Sequence, residues 1–258
     1  MYEGMIAETI ALYGHRGDQL EAYAARPIGA ASVPGMVVLH HMPGWDEWTQ
    51  EVVRKLAHRG YAAIAPHLFS RLGPGAWDDL AAAARSAGGM PDEQVMGDLS
   101  AAAKLMKMQP NANGKVGVIG FCSGGRQAYL AACTVDGLDA AVDCWGGRVI
   151  VGPEGLNERN PHAPIEFTSR MHMPLLGIFG NDDANPDVEQ VNRTEAELQK
   201  YGKEYEFHRY DGAGHGFFAT DRPGYRQEQA VDGWKKVFAF LDRHLKVATR
   251  EPASAVVS

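Results

Sequence analysis

Cysteine is scarce in this sequence. The 258 residues include three cysteines, Cys122, Cys133 and Cys144, and no two of them are spaced as CxxC. An odd number of cysteines without that spacing argues against a disulfide framework and against a structural zinc site. The composition therefore favours a protein that works in a reducing compartment with its thiols free.

Long apolar runs and runs of basic residues are also missing. No window approaches the roughly 18 apolar residues that a membrane span needs, so we expect no membrane partner. The formal net charge is −7 without a long basic run, which argues against nucleic acid as a partner. The first segment has an early Glu3 and no long apolar core, which predicts no signal peptide and a cytoplasmic protein.

The sequence has no internal repeat and no low-complexity linker. Hydrophobic residues make up 45% of the chain and charged residues 22%, an ordinary globular composition that can bury a sizeable core. We therefore expect one domain over residues 1–258.

Apolar runs typical of buried strands alternate with segments of helical periodicity. Two early strands, "TIALYG" and "LEAYAARP", are expected to pair as a hairpin through "GHRGD". Later strands are predicted over residues 35–40, 61–66, 115–120, 138–145, 173–180 and 205–210, and helices over 45–60, 91–109, 124–133, 187–201 and 224–246. This alternation predicts an α/β fold, in which a mostly parallel sheet is covered by helices on both faces.

Two stretches, residues 67–90 and 146–172, are rich in glycine and proline and fit neither a strand nor a helix. Long connections in a compact domain are often binding loops or lids. We therefore expect both stretches to be active-site loops.

The segment "GFCSGG" places a cysteine between a predicted strand and a predicted helix. Gly120-Phe121-Cys122-Ser123-Gly124 fits the pattern G-x-nucleophile-x-G, in which glycines avoid a collision with the sharply turned nucleophile. Ser123 fits less well, because Phe121 would then stand where a small residue is needed. The pattern favours Cys122 as a nucleophile over a cysteine that only packs. It also places the backbone N–H of Ser123 where it can stabilise an oxyanion.

A thiol nucleophile needs a base, and His215 is the best candidate. It lies in the glycine-flanked loop "YDGAGHGFFA" after the last predicted strand. Asp182 and Asp183 directly follow an earlier strand; Asp183 is the favoured partner of the histidine, and Asp182 stays open. The order nucleophile, aspartate, histidine is that of an α/β-hydrolase and predicts a triad. The alternative for the aspartate pair is a turn with an N-cap for the next helix.

With a cysteine at the sharp turn, the chain resembles the dienelactone hydrolase family. The resemblance rests on "VVLHHMPGW", "YAAIAPHLF", "NGKVGVIGFCSGG", "GNDDANP" and "YDGAGHGF", which follow the family's order over most of the chain. It implies an α/β-hydrolase fold without metal or organic cofactor that hydrolyses a lactone or ester. It also implies a nucleophile at Cys122, a base at His215 and its orienting acid at Asp183. The implied oxyanion donors are the N–H groups of Ser123 and Met42.

Two positions depart from the family's pattern. Founding members carry a glutamate that holds the resting thiol, whereas this chain has His40-His41, of which His41 aligns better. An imidazole there can accept the thiol proton or stabilise a thiolate, which predicts a more permanently ionised nucleophile. Members that cleave dienelactone also have an arginine four residues past the triad histidine, where this chain has Ala219. Arg71 or Arg85 is then left to bind an anionic substrate.

Aromatic side chains stand at several predicted strand ends and loops. Trp45, Trp77, Trp145 and Phe218 either complete the core or line the substrate pocket. As pocket walls they would favour a cyclic or aromatic, largely apolar substrate.

These observations predict a cysteine hydrolase that acts on a small-molecule lactone or ester. The altered glutamate and the missing arginine leave an alternative, a catalytically weak ligand-binding or sensor protein on the same fold. A redox role for Cys122 is a third interpretation, but neither Cys133 nor Cys144 is an obvious resolving thiol. Both a monomer and a homo-oligomer are compatible with the sequence.

Overall fold

The computed structural model describes residues 1–246, in which one eight-stranded sheet is packed between helices. The strands are β1 (Met5–Tyr13), β2 (Gln19–Pro27), β3 (Val33–Leu39), β4 (Ala62–Pro66), β5 (Ala112–Phe121), β6 (Ala140–Cys144), β7 (Leu175–Gly180) and β8 (Tyr205–Tyr210). The α-helices are α1 (Glu47–His58), α2 (Trp77–Ser86), α3 (Asp92–Lys107), α4 (Ser123–Thr134), α5 (Val188–Lys200) and α6 (Gln227–Leu245). Every strand and helix predicted from the sequence overlaps one of these elements.

The strand order in the sheet is β1-β2-β4-β3-β5-β6-β7-β8. The pairs β1–β2 and β2–β4 are antiparallel, and all later neighbours are parallel. The predicted hairpin is β1–β2, with Met5 opposite Pro27 and Tyr13 opposite Gln19. Because the six parallel strands share one direction, their carboxyl ends meet at one edge of the sheet, where a site can form.

The parallel strands are buried on both faces, which explains their near-continuous apolar sequences. All seven residues of β3 are buried, and successive side chains point to opposite faces. Val37 and Leu39 join the core beneath α3 and α4, whereas Met36 and Val38 join the core beneath α1 and α6. The prediction of a mostly parallel sheet with helices on both faces is confirmed.

The stretch 67–90 was predicted as a loop, and this is wrong for its middle, because it contains α2. Leu80, Ala81 and Ala84 of this helix are buried in the core. Glycines and prolines on both sides concealed a short alanine-rich run with high helix propensity. The stretch 146–172 is irregular chain with two short 3₁₀ turns.

The prediction of one domain over residues 1–258 includes residues 247–258, which lie outside the described residues. It stays a prediction for the whole chain. Within residues 1–246, no helix has both the length and the apolar character needed to cross a membrane.

Candidate active site

The turn between β5 and α4 has an unusual backbone at Cys122, with φ +55° and ψ −116°. A Cβ on Gly120 would strike the backbone carbonyl of Gly124, and one on Gly124 would strike the carbonyl of Leu39. Both positions therefore need glycine. The turn lifts the thiol above the end of the sheet and leaves the first N–H groups of α4 beside it.

The Cys122 thiol is surrounded by hydrogen-bond donors. The imidazole of His215 and the backbone N–H groups of Met42 and Ser123 are the groups that favour its ionised form. Burial opposes ionisation, but these donors and the positive charge of His215 together lower the pKa of Cys122 below its ordinary value. The site therefore makes Cys122 easier to ionise than an ordinary thiol.

His215 lies in the loop after β8 and is held by a carboxylate. Its Nδ1 donates to Oδ2 of Asp183 at 2.8 Å, which leaves Nε2 for the sulfur of Cys122. Burial works against protonation of the ring, but the hydrogen bonds to Asp183 and Cys122 raise the pKa of His215 to about 10. The Asp183 side chain is only 3% exposed, and its Oδ1 accepts from the N–H of Asn185. The structure thus joins His215 to Asp183 by a hydrogen bond and places His215 close enough to Cys122 to lower the pKa of its thiol.

The two aspartates after β7 have different surroundings. Asp183 faces His215, whereas Asp182 is exposed. The backbone N–H of Asp182 donates to the carbonyl of Ala213 at 3.0 Å, so it fastens the loop after β7 to the loop that carries the histidine. The N-cap of α5 is Asp187, so the N-cap interpretation is wrong for both aspartates. The geometry favours Asp183 as the partner of the histidine.

His41, which aligns with the family's glutamate, has a carboxylate partner of its own. Its Nε2 lies 2.6 Å from Oδ2 of Asp46, the N-cap of α1. Asp46 also accepts from the N–H of Thr49 at 3.0 Å and from Arg222 at 3.4 Å. Burial opposes ionisation of Asp46, but His41 and Thr49 lower its pKa to about 2. This hydrogen bond fixes the loop after β3, and a direct action of His41 on Cys122 stays a prediction.

A small cavity lies beside the donors that surround the thiol. It measures about 80 Å³, and its wall includes Met42, Ser123 and His40. The side chain of His40 is buried and meets the ring of Phe69 edge-on at 4.7 Å. The rest of the wall consists of Leu68, Phe69, Gly88, Gly89, Met90, Arg126, Gln127, Arg148 and Asn160. Both long connections thus reach this cavity, and their action as lids stays a prediction.

Two arginines in the cavity wall were missed by the sequence analysis. Arg126 of α4 is buried and forms a bidentate ion pair with Asp92 of α3, at 2.5 and 3.0 Å. Arg148 is exposed and donates to the carbonyl of Gly155. A charge within an otherwise apolar helix was the signal for Arg126, because an arginine is almost never buried without a partner. No sequence signal distinguished Arg148.

Arg71 and Arg85 were predicted to bind an anionic substrate. Within residues 1–246, neither of them lines this cavity. Arg71 donates to both carboxylate oxygens of Asp98, at 2.8 and 3.0 Å, and to Asp18 at 2.7 Å. The Asp98 side chain is fully buried, so this ion pair commits Arg71 to the packing of α3. Arg85 is exposed in the last turn of α2. The substrate-binding prediction for these two arginines is therefore corrected.

Three of the four aromatic residues that were predicted either to complete the core or to line the pocket fill the core. Trp45, Trp145 and Phe218 are each no more than 5% exposed. Trp45 donates its indole N–H to the carbonyl of Ala65 at 2.9 Å, and Trp145 meets Phe218 edge-on at 5.1 Å. Trp77 is half-buried and lines a separate open groove. Because these aromatic side chains do not line the cavity, they give no reason to expect an aromatic substrate.

Comparison with known proteins finds one matching family and named relatives. The model of the "Dienelactone hydrolase family" matches residues 20–245. A protein named "Putative carboxymethylenebutenolidase" from Salmonella typhimurium is 32% identical over 245 residues, which cover 94% of this chain and 89% of that protein. A Bradyrhizobium protein named "Probable 2-oxo-3-(5-oxofuran-2-ylidene)propanoate lactonase" is 27% identical and covers 93% of this chain and 98% of its own length.

A solved structure agrees with these sequence matches. The crystal structure titled "Putative Dienelactone Hydrolase" from Klebsiella pneumoniae superposes with a TM-score of 0.85 at 29% identity. It covers 94% of this chain and all of its own. This chain therefore belongs to the dienelactone hydrolase family and is a hydrolase with the α/β-hydrolase fold.

Proposed function

We propose that this chain hydrolyses a lactone or ester bond with Cys122 as the nucleophile, His215 as the base and Asp183 as the group that orients it. The observation that carries the proposal is the hydrogen bond between His215 and Asp183, together with the closeness of His215 to Cys122 at the carboxyl edge of the sheet. The lowered pKa of Cys122 and the raised pKa of His215 support a nucleophile that is ionised before substrate arrives.

In the proposed reaction the thiolate attacks the carbonyl carbon. The N–H groups of Met42 and Ser123, which favour the ionised sulfur in the free chain, pass to the developing oxyanion. His215 gives its proton to the leaving oxygen, and a thioester on Cys122 remains. His215 then takes a proton from water, and the resulting hydroxide cleaves the thioester and restores the thiolate.

The relatives support a lactone as substrate, and the site argues against dienelactone itself. The names of two relatives refer to a carboxymethylenebutenolidase and a lactonase. The arginine expected four residues past His215 is absent, and Ala219 is buried at that position. Arg71 does not replace it, because Asp98 and Asp18 already hold its guanidinium.

Acyl-enzyme trapping tests the nucleophile directly. Mixing the protein with an activated aryl acetate and quenching in acid is expected to leave one acetyl group, which peptide mass spectrometry locates on Cys122. Cys133→Ala should label equally, because burial raises the pKa of that thiol to about 12 and keeps it protonated. Turnover with the label on another residue would contradict the proposal. Tight ligand binding without turnover would favour the sensor alternative.

Replacing Asp46 with asparagine is expected to lower kcat about tenfold with little change in Tm, because a displaced oxyanion donor is costly. Asparagine still caps α1, but it removes the charge that holds His41, the neighbour of Met42. Asp187→Asn is the matched control, since Asp187 caps α5 and the same change should alter neither kcat nor Tm. If Tm fell while kcat stayed unchanged, the role of Asp46 would be only to cap α1.

A further inference from the structure

His40, which lines the cavity together with Met42 and Ser123, carries an unsatisfied hydrogen-bonding atom. His40 Nδ1 lies 2.8 Å from the carbonyl oxygen of His41. A carbonyl can only accept, so Nδ1 carries the proton. Burial lowers the pKa of His40 to about 3, so the ring is neutral and its Nε2 is a bare acceptor. Within residues 1–246 this buried Nε2 has no hydrogen-bond partner.

A second acceptor in the same wall is also unpaired. Within the described part of the chain, the buried Oε1 of Gln127 lacks a partner, and this side chain lines the cavity together with His40. Buried polar atoms are nearly always paired, and each unpaired atom calls for an explanation. Two acceptors in one wall point to an occupant that donates hydrogen bonds.

The place and size of the cavity limit that occupant. Met42 and Ser123, the proposed oxyanion donors, belong to the wall, so the occupant is attached close to the scissile carbonyl. A cavity of about 80 Å³ is well below the roughly 150 Å³ that admits a benzene ring. A short polar substituent fits, and an aromatic ring does not.

We propose that His40 determines specificity by accepting, through Nε2, a hydrogen bond from a hydroxyl group next to the scissile carbonyl. The preferred substrates are then esters or lactones of 2-hydroxy acids. This inference rests on the proposed function, since it needs a carbonyl held by Met42 and Ser123. A substrate without the hydroxyl leaves a buried acceptor unpaired, and sites built around such a hydrogen bond reject the analogue that lacks it.

Matched substrate pairs test this inference. Ethyl lactate is compared with ethyl propionate, and 2-hydroxy-γ-butyrolactone with γ-butyrolactone. Each kcat/KM is first divided by the hydroxide-catalysed rate constant of the same compound, which removes intrinsic reactivity. The wild-type protein is expected to prefer each hydroxylated member by at least about tenfold. The preference should be constant between about pH 6 and 9, because His40 stays neutral there.

Variants test whether the preference for the hydroxylated substrate comes from His40 or from a general change in the site. His40→Phe keeps a ring against Phe69 without an acceptor and is expected to reduce the preference to about onefold. His40→Gln restores an acceptor oxygen and should recover part of the preference. His67→Phe is the control: His67 is also buried with an unpaired nitrogen in the described chain, but it lines the separate groove. That change should leave the preference unaltered.

Each outcome has one meaning. Ester turnover with a wild-type preference near onefold overturns the role of His40 and leaves the proposed function intact. A preference that survives in His40→Phe also overturns it. If the protein turned over no ester or lactone, the proposed function and this inference would both be wrong. If His40→Phe does not fold, the wild-type and His40→Gln preferences decide the question.

Discussion

Cys122→Ala is expected to lower kcat/KM for every ester and lactone that the protein cleaves by at least about a thousandfold. Alanine keeps the backbone N–H groups of Met42 and Ser123, so substrate can still bind and its carbonyl can still be polarised. No thioester can form at this position, and water near His215 is then left to attack the carbonyl. The measurement is kcat/KM on a panel of aryl esters, alkyl esters and lactones.

Cys133→Ala is the matched control for this experiment. Cys133 lies near the end of α4, it is buried, and its thiol stays protonated because burial raises its pKa to about 12. Its loss should change kcat/KM little. If Cys122→Ala retained wild-type turnover, the nucleophile would lie elsewhere, and Ser123→Ala would then have to abolish activity. A wild-type protein without turnover would instead support the ligand-binding alternative.

The sheet and the proposed triad could be predicted because their signals are local. Parallel strands that are buried on both faces give uninterrupted apolar runs such as "GMVVLH" and "KVGVIG". The turn at Cys122 needs glycines at fixed spacing, since any side chain on Gly120 or Gly124 meets backbone. Strand ends share one edge, so Asp183 and His215 could be placed beside the thiol from chain order alone.

The roles that could not be predicted depend on contacts that only the folded chain makes. The sequence left Arg71 available to bind an anion. In the structure, the buried carboxylate of Asp98 in α3 lies against its guanidinium. His41 meets Asp46 across the turn into α1, and its alignment with a glutamate gave no sign of that partner. Burial of Trp145 depends on how α6 and the last loop cover the sheet, which periodicity does not define.

The cavity is the clearest case of information that only the fold supplies. Its wall combines His40 after β3, Ser123 and Gln127 of α4, and residues from two long connections. The adjacent histidines could not be told apart by sequence, because both follow the same strand. Their different neighbours separate them: one is paired with a carboxylate, and the other keeps an unpaired nitrogen in the described chain.

The second large effect is expected from the pair formed by Cys122 and His215. In the wild-type protein the thiolate absorbance should appear below the ordinary thiol range, because hydrogen bonds and the charge of His215 lower the pKa of Cys122. His215→Ala removes the largest of these effects and leaves burial, so the pKa of Cys122 should rise above its ordinary value. The same variant should lose about 10²- to 10⁴-fold in kcat, since the acid and base is gone.

The pH profile follows from the same two groups. As pH falls through the pKa of Cys122, the thiolate is protonated and kcat/KM should drop. As pH rises through about 10, His215 loses the proton that it gives to the leaving oxygen, and kcat/KM should drop again. His208→Ala is the control, because His208 is also paired with a carboxylate, Glu206 at 2.7 Å, but lies within β8. If His215→Ala and His208→Ala gave the same thiolate titration as wild type, His215 would not be the partner of Cys122.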